Sequence, residues 1–406
     1  VSDDVHERLQ ELRDLGLYRR LRMVSGPQGP RVVLDGKPVL LLCSNNYLGL
    51  ADHPRVREAA ADAAMRWGVG AGASRLVSGT MTVHRRLEER LAAFKGTEAA
   101  LLFGSGYLAN LGVVGALAEI GPTDPVVFSD ELNHASIVDG CRLARAETFV
   151  YRHADLEHLA WGLRQHEGRG ALVVTDSVFS MDGDVAPLEG IVELARRHRV
   201  RVAVDEAHAT GCLGPGGRGA VAEAGLEGEV DVVVGTLGKA LGSYGAFVAC
   251  ERALAQLLVN RARQLIFSTA PPPPAVAGAL AALELLDEQP GRVERLAANA
   301  AALRGALAEE GLGRVTGASS TQIVPLVVGE PAATVRVCEL ALERGVFAQA
   351  IRPPTVPAGT SRLRVAVMAT HTPAELREAA GVLARAARQA GVATARAGLE
   401  AAARAA

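Results

Sequence analysis

Three lysines, Lys37, Lys95 and Lys239, stand among 43 basic residues, and every other one is arginine. Lys239 lies in GTLGKALGSYG (235–245), just after the apolar run Val232-Val233-Val234. Arginine there would supply a cation but no neutral amine, because a guanidinium keeps its proton at ordinary pH. Lysine can lose its proton, and a neutral amine is what a carbonyl needs to form a Schiff base. The other reading of Lys239 is a solvated loop residue. A second group is VAVDEAHATG (202–211), with Asp205, Glu206 and His208. It reads as a polar strand end, as an ATPase-type DEAH box, or as a carboxylate buried against a heterocyclic nitrogen. The ATPase reading needs a GxxxxGK[ST] loop, and here Lys239 precedes alanine. In the carboxylate reading, His208 is suited to hydrogen-bond a phenolic oxygen on the same ring.

Four further segments carry polar chemistry. LLFGSGYLAN (101–110) joins an apolar run to a helix start through Gly104-Ser105-Gly106. Glycines let a backbone approach a ligand, and a helix N-terminus offers free N–H groups to a phosphate. The same turn nearly matches the dinucleotide pattern GxGxxA, with Asp130 as a ribose ligand, and it also fits a plain tight turn. SDELNHASIVDG (129–140) places His134 at a helix start, where it can stack on a flat ring or act as an acid or base. TDSVFSMDGD (175–184) brings Ser180. IRPPTVPAGTSRLRVA (351–366) brings Arg352, Thr355, Arg362 and Arg364, either as carboxylate ligands or as solvated surface.

These segments need a scaffold that collects strand ends. Apolar runs at 99–103, 125–128, 147–151, 171–175, 201–204, 231–234 and 246–250 alternate with helical periodicity. That alternation predicts an α/β fold with a mainly parallel sheet and helices on both faces. Ligands of such sheets bind at the carboxyl ends of the strands, where the polar motifs fall. An amphipathic helix is expected at 4–20 and a hairpin at Asp35-Gly36 in 31–44. The run APPPP (270–274) punctuates the chain, and one long helical stretch follows at 275–311. A smaller α/β alternation comes after it, with strands at 323–328 and 363–368 and helices near 332–344 and 373–389. The expected division is 1–50 as an N-terminal helix and hairpin, 51–274 as a large α/β domain, 275–390 as a small C-terminal α/β domain, and 391–406 as an Ala-rich tail.

Composition bounds the partners. The chain has 406 residues, 49% hydrophobic and 22% charged, with a net charge of −2. That balance argues against a nucleic-acid or membrane-surface partner. No apolar run is long enough to span a bilayer. The start VSDDVHERLQELRD lacks the apolar core of a signal peptide. Five scattered cysteines without a CxxC spacing fit a reducing cytoplasm and no metal site.

One ligand would use all the groups at once. Pyridoxal 5′-phosphate has an aldehyde for Lys239, a ring nitrogen for Asp205, a phenolic oxygen for His208, a flat face for His134 and a phosphate for the Gly104–Gly106 turn. A nicotinamide dinucleotide would use only the turn. An NAD-dependent dehydrogenase is therefore the reading from another class.

The spellings CSNNYLGL (43–50), NHAS (133–136), VFSMDGD (178–184), VDEAH (204–208), GTLGKALG (235–242) and RPPTVPAGTSRLR (352–364) jointly resemble the α-oxoamine synthase family of fold-type I pyridoxal-phosphate enzymes. The similarity covers about 15–390. The last spelling is most similar to the branch that condenses L-alanine with a pimeloyl thioester, carried by coenzyme A or an acyl carrier protein, in biotin biosynthesis. A glycine and acetyl-coenzyme A pair is the nearest alternative. The resemblance implies that Lys239 binds the cofactor aldehyde and shuttles a proton, with Asp205 on the ring nitrogen. His208 and Ser180 reach the phenolic oxygen side, and His134 stacks on the ring beside the substrate. By the same resemblance the phosphate would be held by Gly106, Tyr107 and Thr236, and by Ser268 and Thr269 from the neighbouring subunit of a homodimer. It likewise implies that Arg364 takes the amino-acid carboxylate and that Asn45, Arg19 and Thr355 line the acyl path. Ala73, Ala209 and Ala246 stand where such enzymes often have glycine.

Overall fold

Strand Val232–Thr236 and strand Ala246–Cys250 are joined by residues 237–245 alone, too few for a crossover helix, so they pair antiparallel. Ala246–Cys250 is the one reversed strand among seven, antiparallel to both its neighbours. In spatial order the strands are Ala99–Phe103, Ala246–Cys250, Val232–Thr236, Arg201–Asp205, Gly170–Asp176, Val126–Asp130 and Glu147–Tyr151. The last five pair in parallel. The expected α/β architecture with a mainly parallel sheet is therefore what the chain adopts. The computed structural model describes residues 2–392 apart from Arg314, Val315 and Ala318.

Strand periodicity of two builds the core. Val232 with Val234, Leu172 with Val174, and Ala246 with Val248 and Cys250 line one face of the sheet. Against it pack Ala109, Val113, Val114 and Leu117 of helix Gly106–Glu119, and Ile137 and Cys141 of helix Ala135–Ala144. Four neighbouring parallel strands end in a polar residue: Thr236, Asp205, Asp176 and Asp130. The carboxyl edge of the sheet thus collects the polar motifs.

The chain divides into two compact units. The larger comprises Leu48–Ser180 and Val185–Glu294, and the smaller comprises Val1–Tyr47, Met181–Asp184 and Arg295–Ala406. This division differs from the expected one in three ways. The proline run does not begin a new domain. Pro272 is an N-cap and Pro273 opens helix Pro273–Glu288, where a missing N–H costs nothing. That helix packs on helices Pro54–Trp67 and Thr82–Lys95 of the larger unit, and Arg55 pairs with Glu284 at 3.0 Å and with Glu288. The single expected helix 275–311 is broken, with helix Gly291–Glu309 starting after Gln289-Pro290. The N-terminal segment is not separate, because strand Lys37–Leu41 pairs in parallel with Val346–Phe347.

In the smaller unit, the N-terminal helix spans Ser2–Asp14, shorter than expected. The hairpin of Arg31–Leu34 and Lys37–Leu41 turns at Asp35 (φ 49°) and Gly36 (φ 80°), the paired positive φ of a type I′ turn. Three antiparallel strands, Ile323–Gly329, Ser361–Ala366 and Gln349–Ile351, form a second sheet. Strand Gln349–Ile351 has no counterpart in the expected pattern. The Ala-rich tail lies outside the described residues beyond Val392.

His371 closes the smaller unit's interior. Its Nδ1 accepts from the Met368 amide at 2.9 Å, and its Nε2 faces the Leu41 carbonyl at 3.2 Å. Burial pushes its pKa down to about 4 from 6.5, against the pull of Glu375. A depressed histidine pKa means the unfolded chain binds a proton that the folded chain refuses. Stability from this group is full above pH 6.5 and falls as the pH drops toward 4. The loss amounts to roughly 3 kcal/mol. Denaturant titrations at stepped pH should show that decline, and His371→Gln should flatten it. An unchanged slope would remove His371 from the account.

Candidate active site

Lys239 is presented by the 237–245 connection, whose shape is set by its own backbone. Leu237 N–H donates to the Gly245 carbonyl at 2.9 Å, Ser243 N–H to Leu237 at 2.8 Å, and Gly242 N–H to Lys239 at 3.0 Å. Gly242 has φ 61°, and a Cβ there would come within 2.4 Å of the Ala51 nitrogen, so only glycine fits. The half-buried Lys239 Nζ lies 2.8 Å from His208 Nε2. His208 is buried in the turn that follows strand Arg201–Asp205.

Asp205, the last residue of that strand, is buried. Its Oδ1 accepts from the Ala207 amide at 2.7 Å and its Oδ2 from Asn110 Nδ2 at 2.6 Å. The register of the sheet sets Asp176 directly opposite Asp205. Burial, and next the Asp205 charge, push the Asp176 carboxyl well above the usual carboxylate range. Asp176 Oδ2 accepts from the His134 amide at 2.8 Å and so pins the residue that caps helix Ala135–Ala144. The His134 ring stands at the surface of the unit, edge-on to Tyr107 with centroids 6.4 Å apart. Burial around His134 lowers its pKa, Asp205 opposes the shift and Lys239 adds to it. Those electrostatic influences place His134, Asp205 and Lys239 in one neighbourhood.

The expected phosphate turn is a helix start. Ser105 caps helix Gly106–Glu119 by accepting from the Leu108 amide at 3.2 Å. The amides of Gly106 and Tyr107 head the helix, where they have no intrahelical acceptor. A Cβ added at Gly106 would meet nothing within 4 Å, so the space beside it is open. The Tyr107 hydroxyl donates to Asp139. Thr236 ends its strand, and its hydroxyl donates to the Gly245 carbonyl at 3.1 Å. Ser180 is half-buried. Ser268 and Thr269 are not joined to this turn by any hydrogen bond among the described residues. Thr269 instead bridges Ser74, and the next amide, Ala270, donates to Ala73 at 3.0 Å.

The smaller unit carries the other expected residues. Arg364 is buried and donates to Asn45 Oδ1 and to the Tyr47 hydroxyl, each at 3.1 Å. Tyr47 OH also donates to Asn45 Oδ1 at 3.0 Å. Arg362, two residues away on the same strand, pairs with Asp182. Arg352 donates to the carbonyls of Gly16 and Tyr18. Arg19 is exposed and close enough to Arg352 for the two charges to repel. Thr355 is exposed, and its amide donates to Arg352 O at 3.1 Å. Asn45 and Arg364 are thus brought together, whereas Thr355 is not joined to them.

Reading by motif missed the supporting residues. Asn110 lies one helical turn after Gly106, inside GYLAN, and touches Asp205. Lys95 is buried and its ammonium donates to Glu206, to Thr210 Oγ1 at 2.9 Å and to Arg218 O at 2.5 Å. Breaking such a buried pair by removing one partner costs about 3–5 kcal/mol. The pair anchors the segment that carries His208. Position alone would have flagged Asn110, since residues four apart share a helix face. Lys95 gave no local signal.

The donor set fits pyridoxal 5′-phosphate: an amine, a buried carboxylate, a helix start beside open space, and a ring at the surface. Comparison with known proteins agrees. Residues 37–383 match the family described as aminotransferase class I and II. An 8-amino-7-oxononanoate synthase from Citrifermentans bemidjiense is 53% identical over 95% of this chain and 98% of its own. One from Geobacter sulfurreducens is 54% identical over 95% and 98%. A high-resolution structure of SPT with its PLP internal aldimine superposes with a TM-score of 0.90 at 36% identity, covering 96% of this chain and 98% of that one.

Proposed function

Because the chain belongs to the aminotransferase class I and II family, and within it to the α-oxoamine synthases, we propose that it is a pyridoxal-phosphate-dependent acyltransferase acting as an 8-amino-7-oxononanoate synthase in biotin biosynthesis. The reaction joins L-alanine to a pimeloyl thioester, with release of CO2 and the free thiol. The observation that carries the reading is the strand-end set of Lys239, His208, Asp205 and His134, on a chain about half identical to enzymes of that name. Bound pyridoxal phosphate supplies an aldehyde that takes up an amine and a ring that stabilises negative charge at the amino acid's α-carbon.

Lys239 offers its amine to the aldehyde and carries a proton to and from the substrate α-carbon. His208, 2.8 Å from Lys239 Nζ, orients that amine and faces the phenolic oxygen side with Ser180. Asp205 faces the ring nitrogen, where an adjacent carboxylate favours the protonated ring. His134 covers the ring face. The amides of Gly106 and Tyr107 and the Thr236 side hold the phosphate, completed by Ser268 and Thr269 of a second copy. Such sharing makes the working unit a homodimer. Arg364 receives the alanine carboxylate, and Asn45, Arg19 and Thr355 line the acyl path. No helix among the described residues is long and apolar enough to cross a membrane. All five cysteines are free, which supports a cytoplasmic site of action.

Arg364→Ala should raise KM for alanine roughly 10- to 100-fold, the worth of a charge-assisted hydrogen bond. Steady-state kinetics against alanine at saturating thioester check this. A rise confined to the thioester would move Arg364 to the acyl path.

The decisive experiment runs alanine, glycine and serine against pimeloyl, acetyl and palmitoyl thioesters. Alanine with pimeloyl thioester should give the highest kcat/KM. A clear preference for glycine with acetyl-coenzyme A would overturn the substrate assignment. Running the pimeloyl group on coenzyme A and on carrier protein identifies the carrier.

A further inference from the structure

Asn110, Ser136 and His134 form a chain of hydrogen bonds that ends on Asp205. Asn110 Nδ2 donates to Asp205 Oδ2 at 2.6 Å and to Ser136 Oγ at 2.8 Å. Ser136 Oγ lies 2.7 Å from His134 Nδ1, and the Ser136 amide donates to the same Nδ1 at 3.2 Å. Asn110 and Ser136 are both buried.

The donor inventory fixes the direction of every proton. A backbone N–H can only donate, so His134 Nδ1 must present its lone pair to Ser136 N–H. Ser136 Oγ accepts one N–H from Asn110, which leaves its own O–H to point at the same Nδ1. Asn110's two N–H groups are then divided between Ser136 and Asp205. We infer that Asn110 and Ser136 are positioning residues that hold His134 as the neutral, Nε2-protonated tautomer and tie its ring to Asp205. The Nε2–H is thereby the donor at the ring's exposed edge, and His134 and Asp205 share one rigid frame. Asp176 completes the frame by holding the His134 amide at 2.8 Å. Burial, which is the main cause of the lowered His134 pKa, favours the same neutral form.

The test uses the full-length holoenzyme labelled with ¹⁵N-histidine, with His134→Asn identifying the His134 signals. The wild type should show an unprotonated Nδ1 and a protonated Nε2 for His134. Ser136→Ala should shift both nitrogens toward averaged values and lower kcat roughly five- to tenfold, the worth of one hydrogen bond, with KM for the amino acid within about twofold. Ser136→Thr, which keeps the hydroxyl, should restore both readouts. A protonated Nδ1 in the wild type would overturn the inference, whatever the variants do. So would Ser136→Ala signals and kcat that match the wild type. The kinetic arm rests on the function proposed above and the spectroscopic arm does not. Loss of activity toward alanine and pimeloyl thioester with the tautomer intact would sink that function alone.

Discussion

Replacing Lys239 with alanine should abolish the visible absorption expected with pyridoxal phosphate and lower kcat by at least ~10³, within the range for losing a positioned proton carrier. The size follows from Lys239 supplying two things that no neighbour replaces. His208 sits 2.8 Å away but offers an imidazole, which forms no stable Schiff base with an aldehyde. Lys95 is an amine, but it is buried and committed to Glu206, Thr210 and Arg218. Lys37 is exposed, and Lys37→Ala serves as the control that keeps both colour and turnover. Absorbance spectra and steady-state rates of the two variants decide the matter. Colour retained without Lys239 would mean that another amine holds the cofactor.

Asp205→Asn should keep the colour but lower kcat by about 10–10³, since an opposite charge is worth roughly one to three pKa units to the group it faces. The substitution preserves volume, so packing changes little. What changes is charge and the count of acceptors. Asp205 takes N–H bonds on both oxygens, from Ala207 at 2.7 Å and Asn110 at 2.6 Å. An amide has one oxygen, so one of those N–H groups would face another donor. Retained absorption with collapsed turnover separates this from loss of cofactor binding. Turnover within about threefold of wild type would show that the ring nitrogen does not depend on Asp205.

Much of the site was legible because its residues sit at strand ends, and strand ends are marked in the sequence. The apolar runs before Asp205, Thr236 and Asp130 end abruptly in polar residues, and the sheet places those ends side by side. Glycine-rich turns after strands, at 104–106 and 237–245, were readable for the same reason. The domain boundary was not readable. A proline run can separate domains or open a helix, and only the packing of helix Pro273–Glu288 on Pro54–Trp67 shows that it opens a helix here.

Local pattern by itself determined the α/β class and the strand ends and singled out Lys239 as the candidate amine, because these depend on residue type and spacing along the chain. Tertiary structure alone decided how Asp205 and Glu206 divide their work. Adjacent residues at a strand end point to opposite sides. One carboxylate therefore meets Asn110, 95 positions back, and the other meets Lys95, 111 positions back. Nothing in DEAH distinguishes them, since the partner that gives each its role lies far away in the chain and is brought near only by folding.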